Sequence, residues 1–140
     1  MSPTLLFWPA FAQVILTFGV FIMMGRARSA SIRARKQAID DIALNRPGDW
    51  DEQATKVANN FKNHFELPVL FFAAIAVALA LKIADPILVG LAWAFVAARV
   101  VQSYIHISPN KVMPRFLAYL TGAIVLLAMW VLLAIRVTAL

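Results

Sequence analysis

The chain of 140 residues has no cysteine, so it builds no disulfide framework, no thiolate metal site and no cysteine nucleophile. Any thiol chemistry must use a thiol carried in by a substrate. Charge is scarce as well: Asp, Glu, Lys and Arg make up 14% of the chain, against about 25% in soluble domains. Two histidines, His64 and His106, stand at unrelated positions and do not form a metal-ligand pattern. There is no internal repeat, low-complexity stretch or linker, so residues 1–140 read as a single four-helix membrane domain.

What fills the chain instead is apolar. Hydrophobic residues reach 62%, where soluble domains carry about 45–50%, and this is the composition of a small integral membrane protein. Thirteen Lys and Arg against seven Asp and Glu leave a net charge of +6. In a soluble protein that excess would suggest nucleic acid, but here the cations flank apolar runs, where membrane topology accounts for them. A nucleic-acid partner is not expected.

Four runs are long enough to cross a hydrocarbon core of about 30 Å. Residues 5–24 form the first, within a stretch from Met1 to Gly25 that holds no charge. With no positive region before it, and too long for a signal sequence, it reads as a retained helix. The basic segment from Arg26 onward reads as a partly helical interfacial loop, with a turn at Arg46-Pro47-Gly48-Asp49 and an N-cap at Asp49 or Asp51. One long helix is expected from Glu52 to Leu81, its span at about 56–81. Lys82 to Pro86 is an antiparallel turn, residues 86–107 are the third span and residues 116–135 the fourth. The fold class is therefore all-α, a four-transmembrane-helix bundle.

Loop charge orients it. The first and third connections carry Arg26, Arg28, Arg33, Arg35, Lys36, Arg46, Lys111 and Arg115, against Lys82 and Arg136 on the opposite side. The first and third connections should be cytoplasmic and both termini external.

Polar residues enter two of these greasy helices. On a helix, Asn59, Asn63 and Glu66 share one face, and Arg99, Gln102 or Ser103, and His106 share another. An ionised side chain at helix-centre depth costs roughly 2.5–3.5 kcal/mol on insertion scales, so Glu66 and Arg99 are expected to face the bundle as a pair. Taken singly, Asn63 reads as interhelical glue, His106 as a hydrogen-bonded helix-end residue, and the tryptophans with Tyr104 and Tyr119 as core or interface anchors.

The string Asn63-His64-Phe65-Glu66-Leu67-Pro68-Val69-Leu70-Phe71 resembles the second-helix signature of the MAPEG superfamily, the membrane-associated proteins of eicosanoid and glutathione metabolism. Ala98-Arg99, Tyr104, His106, the Pro-Asn turn and Arg115 resemble its third-helix signature and the arginine that opens the fourth helix. The resemblance implies a homotrimer that holds glutathione between subunits at the cytoplasmic side. It implies that Asn63, Glu66 and Arg99 contact the tripeptide, that Arg115 stabilises its thiolate, and that Arg28, with Arg26, reaches it from the first helix. At Asn59, Gln102 and His106 the family's better-studied transferases carry Arg, His and Tyr, so each of these glutathione-facing positions loses a donor or an aromatic contact. The chain is similar to bacterial members, which implies an inner-membrane location.

The expected function is a glutathione-dependent transferase or peroxidase acting on lipophilic electrophiles drawn from membrane lipid. The alternative is a non-catalytic subunit of the same fold that binds a partner membrane complex or a lipid. Ion translocation through Glu66 and Arg99 is the weakest reading, since no pore or inverted repeat is visible.

Overall fold

The computed structural model describes residues 2–139, and among them all regular structure is helical. Helix α1 runs Phe7–Arg35 after a single tight turn at Pro3–Leu6, α2 Glu52–Asn63, α3 Leu67–Ala80, α4 Pro86–Ile107 and α5 Val112–Thr138. Helices α2 and α3 are collinear neighbours in sequence and together make one of four rods long and apolar enough to cross a membrane. The protein is an integral membrane protein built as a four-helix bundle.

Helix boundaries differ from the sequence expectation at three places. The segment after Gly25 is partly helical, as expected, but its helical part is the end of the first rod: α1 continues through Arg26, Arg28 and Arg33 to Arg35, and the connection occupies 36–51. Neither proline nor glycine stands between Arg26 and Arg35, so nothing stops the helix until Lys36 turns left-handed at φ 50°. Its 29 residues span about 43 Å, so the basic turns project beyond the hydrocarbon. The expected helix Glu52–Leu81 is also not continuous. Pro68 has no N–H for the carbonyl of His64 and crowds it, and the helix opens over His64, Phe65 and Glu66.

The connections follow ordinary turn chemistry. Asp51 caps α2, its Oδ1 accepting from Ala54 N at 2.8 Å, while its own N–H donates to Ser31 Oγ of α1 at 3.0 Å. Asp85 caps α4, accepting from Ile87 N at 2.8 Å, and its other oxygen meets Arg136 Nε of α5 at 2.6 Å. Helix α5 begins at Val112 rather than near 116, because Pro114 lies in the first turn, where a missing N–H costs no bond.

The bundle has two unlike halves. Toward the Asp85 end, Leu6, Phe71, Ile75, Leu88, Phe95, Met129 and Leu133 form a dry core, with the rings of Phe71 and Phe95 stacked at 4.5 Å. Toward the basic end polar side chains are buried beside Val20, Ala54 and Val57: Gln13, Asn60, His64, Arg99, Gln102, Ser103 and His106. Phe18, Ile22, Leu70, Leu127 and Ile135 are exposed on the outside, as a surface facing hydrocarbon requires.

Candidate functional site

Where the helix opens between α2 and α3, backbone groups that a helix would have used internally become available. Arg99, 1% exposed, reaches across from α4 and donates from Nη2 to the carbonyl oxygen of Asn63 at 3.0 Å. Asn63 ends α2, so the guanidinium sits against the negative pole of that helix. Arg99 Nε and Nη1 are buried without partners, and its guanidinium carbon lies 5.8 Å from the Tyr119 ring.

Glu66 is not the counter-ion expected for Arg99. The two ion pairs among the described residues are Lys56–Glu52 and Arg136–Asp85. Glu66 is exposed, and its Oε2 accepts from the Tyr119 hydroxyl of α5 at 3.1 Å. The face-sharing argument assumed an unbroken helix; once the backbone departs at His64, Glu66 no longer follows the rotation that would have turned it toward α4.

Asn63 Nδ2 and Gln102 Nε2 both lie by His106 Nδ1, at 3.3 and 3.5 Å. Either amide nitrogen can donate to that nitrogen in the tautomer that carries its proton on Nε2. His106 is 5% exposed and stands behind the two amides. Asn63, Gln102, Val112, Arg115, Phe116 and Tyr119 line an open cleft of about 260 Å³. Arg115 enters it from the first turn of α5, its Nη1 held by Asn110 Oδ1 of the preceding turn.

Two expected site residues lie elsewhere. Arg28 and Asn59 line a separate hollow with Arg46, Trp50 and Lys62. Asn59 precedes Asn63 by four residues, and the remaining rotation turns it toward the end of α1 instead of toward α4. Arg26 is exposed and outside both hollows.

The sequence reading missed four participants. His64 joins three helices: its Nδ1 lies 3.1 Å from both Gln13 Nε2 and Thr17 Oγ1 of α1, and its Nε2 lies 3.2 Å from Ser103 Oγ of α4. It therefore fixes the break against the rest of the bundle. Gln13 was visible as a polar residue in a charge-free span, and Asn60 as the neighbour of Asn59; both are fully buried. Tyr119 follows Arg115 by four residues, the spacing that places two side chains on one helix face. No spacing within one helix could have linked it to Glu66.

The cleft thus presents a fixed cation at Arg115, a second behind it at Arg99, a carboxylate at Glu66 and two carboxamides. Such a set suits a small zwitterion with more than one anionic group. The MAPEG family model matches residues 6–135, which take in every residue of the cleft. No curated protein matches the chain.

Proposed function

The chain belongs to the MAPEG family, and from that membership and the cleft we propose a glutathione-dependent transferase or peroxidase acting on lipophilic electrophiles dissolved in the bilayer. The observation that carries the reading is the convergence of Arg115, Gln102, Asn63 and Tyr119 on one cleft, with Arg99 and Glu66 at its back and edge. Glutathione brings two carboxylates, an ammonium and a thiol. The arginines suit its anions, Glu66 with the Tyr119 hydroxyl suits its ammonium, and the amides of Asn63 and Gln102 suit its peptide groups.

Arg115 acts on the sulfur in this proposal. A guanidinium stays charged at any working pH, and an opposite charge within about 4–6 Å lowers a thiol pKa by about 1–3 units. The thiol proton passes to water, and the thiolate is the nucleophile. Its electron pair forms the bond to the electrophilic carbon as the leaving group departs with its own pair. Phe116 and Val112 offer the apolar lining that a bilayer-derived substrate needs.

A cleft of about 260 Å³ is smaller than the roughly 300–1,000 Å³ of most small-molecule sites. A neighbouring protomer in a homotrimer completes it in this reading. The excess of cations at this end supports a cytoplasmic side for it in this reading, with the protein in a bacterial inner membrane. Calorimetric titration of the protein in neutral detergent with glutathione tests the proposal. Saturable binding in the micromolar to millimolar range typical of enzyme substrates, weakened by Gln102→Ala, is expected; no saturable binding across that range overturns it.

A further inference from the structure

The end of the bundle opposite the cleft holds little charge, and what it holds is gathered in one place. Of the thirteen Lys and Arg, Lys82 and Arg136 alone among the described residues stand at the Asp85 end, and both line one hollow of about 410 Å³ with Ile83, Ala84, Asp85 and Pro86. Asp85 is the single carboxylate side chain among the described residues that line it. Nothing in the function proposed above uses this hollow.

The fold holds each cation. Asp85, 3% exposed, accepts from Arg136 Nε at 2.6 Å, and that bond uses one nitrogen of the guanidinium. Nη1 and Nη2 remain as a planar pair on a side chain that is half exposed. Lys82 stands where α3 ends. Its N–H donates to Leu79 O at 3.1 Å and that of Ile83 to Ala78 O at 2.9 Å, the closure that usually seats a glycine at its left-handed position. Here the residue at that position, with φ 56°, is Lys82. A residue with a Cβ is strained there, and this one is exposed and joins neither ion pair among the described residues.

Depth and charge identify the ligand. Residues 116–135 carry no charge and rise about 30 Å as a helix, the thickness of the bilayer hydrocarbon. Arg136 follows them directly, and Lys82 directly follows the apolar run that ends at Leu81. The hollow therefore opens at the level of the lipid phosphates. Its two cations and one carboxylate leave a single positive charge. A phosphodiester carries one negative charge and two free oxygens, which suit a planar guanidinium pair.

We propose that this hollow binds the phosphodiester of a phospholipid in the leaflet opposite the cleft. The Nη pair of Arg136 takes the two free oxygens, Lys82 closes over the same group, and Asp85 holds the guanidinium as a positioning residue. A seated headgroup ties the turn between α3 and α4 to the end of α5 at one depth in the membrane. No residue of the cleft takes part, so loss of this site and loss of glutathione binding are separable.

For the test, delipidated protein in neutral detergent is titrated with phosphatidylglycerol, phosphatidylcholine and a diacylglycerol of the same chain length, read by native mass spectrometry, and with inorganic phosphate, read by calorimetry. Saturable binding of the phospholipids, tighter than that of diacylglycerol, is expected. K82G should weaken it about tenfold or more, as loss of one charged hydrogen bond does, while melting no lower than wild type, because glycine relieves the left-handed position. R136K, which keeps the charge and loses the planar pair, should fall between. Lys36 ends α1 in the same left-handed conformation, at φ 50°, so K36G is the matched control at the other end of the bundle. If K36G weakens phospholipid binding as much as K82G, the attraction is only diffuse charge and the proposal fails. It fails equally if K82G and R136K bind phospholipid as wild type does, if diacylglycerol binds as tightly as the phospholipids, or if inorganic phosphate saturates the protein and no phospholipid does.

Discussion

Arg99 Nη2 donates to the carbonyl oxygen of Asn63 at 3.0 Å, so the one arginine buried in the middle of a span is answered by a helix end and not by a carboxylate. The relationship exists because Pro68 interrupts the rod formed by α2 and α3. It ties the third span to the break on which the cleft is built.

Glu66 and Arg99 should therefore behave differently on mutation. Glu66→Gln keeps an acceptor for the Tyr119 hydroxyl, and Glu66→Ala loses one exposed hydrogen bond, about 1 kcal/mol at most. Arg99→Ala empties a fully buried volume and strips the Asn63 carbonyl of its donor, at about 2–5 kcal/mol. Thermal melts in detergent separate the two. Equal losses for Glu66→Ala and Arg99→Ala would mean that they form a buried pair after all.

Pro68→Ala returns an N–H to the His64 carbonyl and lets α2 run into α3. Stability should change little or rise, while glutathione affinity falls about tenfold or more as Asn63 and Glu66 rotate out of place. Amide exchange across residues 64–68 should slow in the variant. Undiminished affinity with slowed exchange would show that the break is not needed for binding.

Arg115→Ala should leave glutathione bound while removing the ultraviolet absorbance of its thiolate, and should slow turnover about 10²- to 10³-fold, as loss of one charge-stabilising donor does. Arg115→Lys, which keeps the charge but loses the planar fork, should fall between. Thiolate signal and rate equal to wild type in Arg115→Ala would reduce Arg115 to a snorkelling anchor at the interface.

Asp85 gives a dependence on pH. Removal from water disfavours its ionised form, but the Arg136 guanidinium and the N–H groups of Ile87 and Leu88 outweigh this and hold its carboxyl below the ordinary range. A carboxyl lowered by folding stabilises the protein above its ordinary pKa, and that contribution is lost as pH falls through the folded value. Asp85→Asn keeps the cap and loses the ion pair, whose Arg136 is half exposed, so it should cost under about 1 kcal/mol at neutral pH. Asp85→Ala should cost about 1 kcal/mol more. Melting temperature against pH should drop for wild type and stay flatter for Asp85→Asn; parallel curves would remove Asp85 from the acid response.

The spans were legible because each depends on a run of neighbouring residues: a bilayer asks only for enough consecutive apolar side chains, and the turn at Arg46–Asp49 and the cap at Asp51 are equally local. The candidate site was legible in part for the same reason, since Asn63, Arg99, Gln102 and Arg115 were found as polar residues in apolar surroundings. Their partners were not. The acceptor for Arg99 is a backbone oxygen with no sequence signature of its own, at the end of α2, where its remaining backbone bond is a long one from Glu66 N at 3.4 Å.

What the sequence by itself determined is the number of membrane spans, the charge difference between the two ends and the identity of the residues too polar to face lipid. Only the tertiary structure decided which of those residues meet. Helical rotation carried Asn59 toward Arg28 and left Asn63 with Gln102, and the break turned Glu66 to Tyr119. Such choices depend on how whole helices are turned against one another, a property of the packed bundle that periodicity within a single helix does not contain.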